Sequence, residues 1–325
     1  SLSGNGVTEV KVTADTTVYA KWTQLYTISL ELSGGNLSKT SLTVKKGENV
    51  YNAVINLKPT KTGYEFIGWY NGNSSLGTGV KADKDLTLTA KYGVGYDVEI
   101  WAQNTTLDGY ELAETRHFVK DLGNKESVTV SANETAEGFT GTKNDNEVLS
   151  ATLKAGEAKV VLKQYFDRNE YTLTYNSNIE KYSSSSKNSE VVESGYYGIN
   201  MTVAADIFTL DGYYLEGWAE TVDGEIKYNT AFIENHLYEK DGSGKEADKI
   251  ALERNTVLYA VWSKGYTDVF GSDDTLFLSS SNDKVVYLYR GGIFFKGTLV
   301  KGDGKTDDRF TFRSPETNEI LKTGS

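Results

Sequence analysis

The chain has 325 residues, a formal net charge of −11, an apolar share of 38% and no cysteine. Without cysteine it forms no disulfide and no thiolate metal site, and so acidic a chain is a poor general ligand for phosphate backbones. No apolar run approaches the about 20 residues that a membrane-spanning helix needs. We therefore expect neither a nucleic-acid partner nor membrane insertion.

The first 23 residues carry two strand-like stretches. VTEVKV (7–12) alternates with the period of a strand, and ADTTVYAKW (14–22) ends in an aromatic residue, Trp22. An isolated hairpin is marginal in water, and an unpaired strand exposes its backbone groups. We expect this segment to be ordered by adding to a sheet edge of the next unit or of a neighbouring molecule.

Residues 24–93 combine strands with one short helix. YTISLEL (26–32) and DLTLTAKY (85–92) alternate as strands, whereas VYNAVINL (50–57) favours a short helix. Between them lies GYEFIGWY (63–70). In a strand Tyr64, Phe66 and Gly68 share one face. A bulge at this second glycine returns the tryptophan to that face.

The GYEFIGWY stretch is written twice. It recurs 149 positions later as GYYLEGWA (212–219), and each copy is followed by a strand that ends in an aromatic residue. A repeated stretch of this kind is typical of a structural unit. The predicted signature comprises Gly63, Tyr64, Phe66, Gly68, Trp69 and Tyr92, then Gly212, Tyr213, Leu215, Gly217, Trp218 and Trp262, with Trp22 closing the N-terminal tail. We expect both inner tryptophans in the core; exposed platforms for sugar binding are the alternative.

Residues 94–169 form a different unit. It opens with YDVEIWA (96–102), has a turn at 107–109, continues with SVTVSA (127–132) and closes with AKVVLKQYF (158–166). Asp167, Arg168 and Asn169 follow. Their polar, turn-forming character predicts a joint with one ion pair rather than a catalytic group.

The second copy spans 170–263 and exceeds the first because of an insert at about 229–252. YTLTY (171–175) and TVLYAVW (256–262) are its first and last strands, TVAADIF (202–208) favours a short helix, and the insert favours another. We expect the alternate positions 214 and 216 of its signature strand to face solvent. Residues 264–325 predict further β-hairpins of unknown family.

These motifs resemble a known family. GYEFIGWY with TLTAKY, and GYYLEGWA with TVLYAVW, are similar to the Listeria–Bacteroides repeat, the internalin B-type repeat of bacterial surface proteins; ADTTVYAKW resembles its last strand. The first copy keeps the lead-in PTKTGY (59–64), whereas the second has FTLDGY (208–213). Residues 94–169 resemble mucin-binding-protein-like repeats through the run from Tyr165 to Tyr171. The resemblance implies small β-grasp-like modules of an extracellular protein.

The predicted fold is mainly β, with tandem small β-grasp-like modules in an elongated array and one or two short helices. The predicted domains are 1–23, the tail of a truncated preceding repeat; 24–93, the first repeat; 94–169, the mucin-binding-like module; 170–263, the second repeat with its insert; and 264–325, a β-hairpin module. From this tail we expect the chain to have been cut from a longer tandem array.

Little in the sequence indicates catalysis. His117 and His236 lie in no metal or catalytic pattern, and each is expected on a strand or helix surface. The acidic loops GSDD (271–274) and KGDGKTDD (301–308) offer oxygen ligands for calcium but lack EF-hand spacing, so ordinary turns are favoured. We predict no enzyme activity, no cofactor and no metal.

Two function classes remain open. The first is a stalk or adhesin region of a bacterial cell-surface protein, a monomer with a host glycoprotein, mucin or matrix ligand, whose signal and anchor lie outside this sequence. The second is a set of carbohydrate-binding modules attached to a larger secreted enzyme, favoured by 22 tyrosines and 5 tryptophans.

Overall fold

The structure is a computed structural model. It describes residues 9, 11–238, 245–266, 274–279, 282–303, 305–313, 318 and 320–324. As predicted, these residues are mainly β, with two short helices and several sheets. In the described part of the chain, no helix is both long and apolar enough to cross a bilayer.

The chain divides into two compact units. The first contains residues 1–101, 112–134 and 144–164, and the second contains 102–111, 135–143 and 165–325. The predicted module 94–169 contributes residues to both units.

The first repeat is a mixed sheet with one helix. Its elements are β1 Leu25–Glu31, β2 Ser41–Lys45, α1 Val50–Val54, β3 Glu65–Asn71, β4 Ser74–Ser75 and β5 Leu86–Gln103. Antiparallel pairs join β1 to β2, β3 to β4 and β3 to β5, while β5 runs parallel to β1. The last strand therefore lies between the first strand and the signature strand. The domain boundary predicted between residues 93 and 94 lies within the continuous strand β5.

The helix α1 begins where its sequence provides a cap. The side chain of Asn49 accepts the backbone N–H of Asn52 at 2.9 Å, which satisfies one of the free donors of the first turn. Val50 and Val54 are buried and join the core of the repeat, which also contains Ile28 and Leu88.

Five strands follow the first repeat. They are β6 Tyr110–Lys120, β7 Ser127–Ser131, β8 Phe139–Thr142, β9 Ser150–Lys154 and β10 Val160–Arg168. β5 pairs with β6 and neighbours β10, and β7 and β9 form a separate antiparallel pair. A small core of the first unit consists of Val98, Leu122, Val130, Leu153 and Leu162.

The second repeat has the same strand order as the first. Its elements are β11 Glu170–Asn176, a 3₁₀ turn Ile179–Lys181, β12 Glu190–Tyr196, β13 Asn200–Thr202, β14 Tyr213–Ala219, β15 Tyr228–Asn229, α2 Phe232–His236, β16 Lys249–Ala251 and β17 Thr256–Lys264. The order β12-β11-β17-β14-β15 corresponds to β2-β1-β5-β3-β4. The pair β11–β17 is again parallel, and β14–β17 is antiparallel.

The helix predicted over 202–208 is wrong. Residues 200–202 form β13, which pairs with β16 of the insert, and residues 203–208 have no helical structure. The insert supplies a strand partner that the local pattern cannot reveal. The helix expected within the insert is present as α2.

The C-terminal residues form an antiparallel meander. Its strands are β18 Thr275–Leu278, β19 Val285–Arg290, β20 Ile293–Val300, β21 Arg309–Arg313 and β22 Ile320–Gly324, paired in chain order. Phe277 and Phe294 from this meander pack on Tyr214, which is only 7% exposed. The prediction that position 214 faces solvent is therefore wrong, because the meander covers the outer face of β14.

The N-terminal strands are not formed in the described residues. Residues 11–24 adopt no strand, so 14–22 does not add to the sheet of the first repeat. Most of the stretch 7–12 lies outside the described residues.

Candidate functional site

The two signature strands carry the same bulge. In the first repeat Phe66 pairs with Tyr92, then Gly68 with Lys91 and Trp69 with Ala90. In the second, Leu215 pairs with Trp262, then Gly217 with Val261 and Trp218 with Ala260. One extra residue in each strand brings the tryptophan back to the core face, as the sequence predicted.

The tryptophans are structural in geometry. Trp69 is 5% exposed, and Trp218 is fully buried. The indole N–H of Trp69 donates to the carbonyl of Leu57 at 2.8 Å, and that of Trp218 donates to the carbonyl of Ala204 at 2.7 Å. Neither ring presents a face for stacking on a sugar, so the alternative of exposed tryptophan platforms is wrong.

The last strand of each repeat carries an aromatic donor, Tyr92 in β5 and Trp262 in β17. The Tyr92 hydroxyl donates to the carbonyl of Leu32 at 2.8 Å, and the Trp262 indole N–H donates to the carbonyl of Ser177 at 2.8 Å. Each acceptor is the first residue after the first strand. A hydroxyl in the first repeat and an indole N–H in the second thus make equivalent hydrogen bonds.

Immediately before each last strand, a side chain binds a backbone N–H of the first strand. Asp85 Oδ1 accepts the backbone N–H of Thr27 at 2.7 Å, and Asn255 Oδ1 accepts that of Thr172 at 2.9 Å. Sequence reasoning missed this pair, although both copies carry an Asp or Asn seven residues before the final aromatic.

The first glycine of each signature has a left-handed backbone. Gly63 has φ of 78° and Gly212 has φ of 79°. Residues with a Cβ rarely adopt this conformation, so glycine is the expected residue at the turn into the signature strand. The neighbouring Tyr64 and Tyr213 are half-buried and pack on the two repeat cores.

The predicted joint residues bind within the second unit. Arg168 donates through Nε to the carbonyls of Gln103 and Asn104, at 2.9 and 3.2 Å, and through Nη1 to that of Tyr197, at 2.7 Å. Asp167 accepts the Tyr110 hydroxyl at 2.6 Å. In the described structure these two joint residues bind different groups rather than each other, which departs from the predicted ion pair.

The remaining joint residue and the tyrosine complete this arrangement. Asn169 Oδ1 accepts the hydroxyl of Thr140 at 2.6 Å. The hydrogen bond to Asp167, together with partial burial, raises the pKa of Tyr110 to about 12. The phenol therefore remains a donor through neutral and moderately alkaline pH.

A histidine held between two carboxylates lies in the first unit. His117 Nδ1 is 2.7 Å from Asp97 Oδ1, and His117 Nε2 is 2.8 Å from Glu65 Oε2. Lys159 Nζ is 2.6 Å from the other Asp97 oxygen. Since both ring nitrogens face acceptors, the charged imidazolium fits this place.

The charges around this histidine shift its titration. Hydrogen bonds to Asp97 and Glu65 raise the pKa of His117 despite partial burial. Partial burial favours a higher pKa for Asp97, but hydrogen bonds from Lys159 and His117 hold it below the usual value. His117 lies on a strand surface, as expected, but its partners were not foreseen because they are 20 and 52 residues away.

An aromatic cleft of about 460 Å³ lies within the second unit. The half-buried rings of Phe208, Tyr213, Phe232 and Tyr289 contribute to its lining. His236, on α2, also lines it and stacks on Phe232 with ring centroids 4.2 Å apart. Asp206 and Asp211 add carboxylates at the surface.

Acidic residues of the two loops form an ion pair and turn hydrogen bonds. Asp274 is buried and makes a two-pronged ion pair with Arg290, at 2.8 and 2.7 Å. Asp303 accepts the backbone N–H groups of Lys305 and Thr306, at 2.9 and 3.0 Å. Residues 271–273 lie outside the described residues. Among the described residues, no group of three His, Asp or Glu side chains is arranged to hold a metal ion.

The family comparison locates two repeats. The family model of the Listeria-Bacteroides repeat domain matches residues 26–91 and 171–236. The second match stops at the end of α2, whereas the strand that completes this sheet, β17, begins 20 residues later, after the insert. No curated protein matches the chain. The resemblance of 94–169 to mucin-binding-protein-like repeats stays a prediction.

Proposed function

Because the chain carries two Listeria-Bacteroides repeats, a domain typical of bacterial surface or extracellular proteins, we propose that it is a non-enzymatic stalk and adhesin region of a bacterial cell-surface protein. In this role the repeats act as folded spacers, and their surfaces contact host glycoproteins, mucin or extracellular matrix.

The observation that carries the proposal is that the signature side chains stabilise the repeats themselves. In both repeats the tryptophan and the final aromatic residue are buried, and each donates to a backbone carbonyl of its own repeat. Residues repeated in this way maintain a scaffold. The net charge of −11 favours a well-solvated surface, as an extracellular spacer needs.

Adhesion of coated beads tests this function. Beads carrying the full chain should adhere to surfaces coated with mucin or matrix protein. Beads carrying the double variant Trp69→Ala/Trp218→Ala, in which both repeat cores are damaged, should adhere less. Equal adhesion by the two beads would contradict the proposal, since the folded repeats would then contribute nothing.

Carbohydrate binding is a second candidate, and the aromatic cleft is the observation that favours it. Its volume of about 460 Å³ falls in the range of about 300–1,000 Å³ usual for small-molecule sites. Aromatic rings cover the apolar faces of a sugar ring, and the carboxylates of Asp206 and Asp211 accept hydroxyl groups.

A glycan array separates the two candidates. Saturable binding of the full chain, lost on Tyr289→Ala or Phe208→Ala and retained on Tyr70→Ala, supports the cleft. Tyr70 is a matched control because it is a half-buried aromatic residue in the other unit. Binding that survives both cleft substitutions would exclude this site.

A further inference from the structure

A groove of about 620 Å³ lies beside the signature strand of the first repeat. We call it the edge groove. Residues in and just after α1 line it together with residues of β3 and β4, among them Tyr51, Ile55, Lys58, Phe66 and Ile67. Ile55 and Ile67 are 39% and 38% exposed, and the rings of Tyr51 and Phe66 are half-buried. The groove therefore presents apolar side chains that a ligand can reach.

The strand β3 has an open edge at this groove. Its short partner β4 pairs with Tyr70 and Asn71, and the N–H of Leu76 adds one bond, to the carbonyl of Trp69 at 2.9 Å. The chain then enters a turn and leaves the strand. Within the described residues this pairing stops short of the bulge, where Ile67 has no partner in β5 either.

The second repeat covers the equivalent edge with its own insert. There the pairing continues past β15, and the N–H of Thr230 donates to the carbonyl of Glu216 at 3.1 Å. The Thr230 hydroxyl donates to the carbonyls of Leu215 and Glu216, at 2.7 and 3.0 Å, and the side chain is fully buried. Leu215 and Glu216 correspond to Phe66 and Ile67 of the first repeat. The bulged strand thus accepts one further strand residue at this edge.

Apolar residues of the insert follow this threonine. Ala231 and Ile233 are 5% and 9% exposed. Phe232 stacks on Tyr214, with the ring centroids 6.1 Å apart. In the second repeat, the segment that covers this edge is therefore a short strand that ends in a threonine and is followed by apolar residues.

We propose that the edge groove binds a strand of another polypeptide, which adds to β3 as the insert adds to β14. The bound segment runs antiparallel to β3 and places a Thr or Ser hydroxyl on the carbonyls of Phe66 and Ile67. Its next apolar side chains cover Ile55 and Ile67. In strand addition, backbone hydrogen bonds supply affinity and side-chain pockets supply specificity. The exposed ammonium group of Lys58 favours a segment that also carries a carboxylate.

A second copy of this chain is not the expected partner. In each copy the insert is already bonded to its own β14 through Thr230, whose side chain is fully buried. An insert would have to leave that place before it could enter the edge groove of another copy. The expected partner is therefore a strand of a different protein, and self-association is an outcome of the test. The site is distinct from the aromatic cleft, which lies in the second unit.

A peptide copied from the insert is the probe. Its sequence is that of residues 227–237, KYNTAFIENHL, and fluorescence anisotropy follows the labelled peptide as the full chain is added. We expect saturable binding. Ile55→Arg should raise the Kd at least about tenfold, whereas Val148→Arg should change it less than about twofold. Val148 is a matched control because it is also 39% exposed and lies in the same unit, outside the groove.

A changed peptide and hydrogen exchange locate the binding. A peptide carrying Thr230→Pro lacks the N–H that adds to the strand edge and should bind at least about tenfold more weakly. The bound parent peptide should slow amide exchange in β3 and leave β14 unchanged.

Four results would each overturn the proposal. They are no saturable binding, equal binding to Ile55→Arg, equal binding of the Thr230→Pro peptide, and protection of β14 in place of β3. The last would mean that the peptide had displaced the insert of the second repeat. Without peptide, protection of β3 that rises with the concentration of the chain would also overturn it, by identifying a second copy as the partner.

Discussion

Truncation of Trp218 tests the role of the signature most directly. The side chain is fully buried, packs against Tyr175 at 4.7 Å and Phe208 at 6.2 Å between ring centroids, and donates a 2.7 Å hydrogen bond to Ala204. Replacing a buried Trp by Ala costs about 3–5 kcal/mol. Trp218→Phe keeps most of the ring and loses the donor, so its cost should be about 1–2 kcal/mol.

Native-state hydrogen exchange of β14 and β17 measures these costs. Each 1.4 kcal/mol is a tenfold change, so exchange through opening of the repeat should accelerate by about 100- to 4,000-fold in Trp218→Ala and about 5- to 30-fold in Trp218→Phe. Trp69→Phe should have a similar effect on β3 and β5, because its bond to Leu57 is equivalent. Acceleration below about fivefold in Trp218→Ala would refute the structural role.

Three further predictions concern single side chains. The pKa of His117 is raised in the folded state. The stability that this side chain contributes to the fold is therefore fully present below its unfolded-state pKa of about 6.5, and is lost as the pH rises through its raised folded-state pKa. Between pH 6 and 9 the free energy of unfolding from urea titrations should fall by at most about 1 kcal/mol, because these side chains are partly exposed. His117→Gln should abolish that part of the fall, and an unchanged profile would contradict the prediction. Arg168→Lys loses the planar donor set and should cost about 2 kcal/mol, seen as faster exchange at the start of β11; wild-type exchange there would disprove it. Gly212→Ala should cost about 1–2 kcal/mol in urea unfolding because φ is 79°, and Gly212→Asn should cost less; the reverse order would argue against a left-handed backbone.

The repeated elements were the most predictable part of the fold. The alternation of apolar and polar residues located the first and last strands of both repeats, and the glycine immediately before Trp69 indicated the bulge. These features depend on local pattern, which a single sequence contains. The sequence also showed that Tyr92 and Trp262 occupy equivalent positions in the two repeats. Only the structure shows that both side chains donate to the carbonyl of the equivalent residue.

The errors arose where distant residues decide the outcome. Residues 202–208 were predicted to be helical because the strand that pairs with β13 lies in the insert, nearly 50 residues away. Tyr214 was placed in solvent because the meander that covers it follows about 60 residues later. The His117 cluster brings together three strands and Lys159, and no spacing in the sequence indicates it.

The parallel pairing of first and last strands has a mechanical consequence. In each repeat four residue pairs join the two strands side by side, β1 with β5 and β11 with β17. A tensile force that enters at the start of the first strand and leaves at the end of the last pulls the two strands past each other. The hydrogen bonds between them are then loaded in shear and must break together rather than one after another. A repeat built in this way resists stretching along the chain, the direction in which a tethered surface protein is pulled by flow.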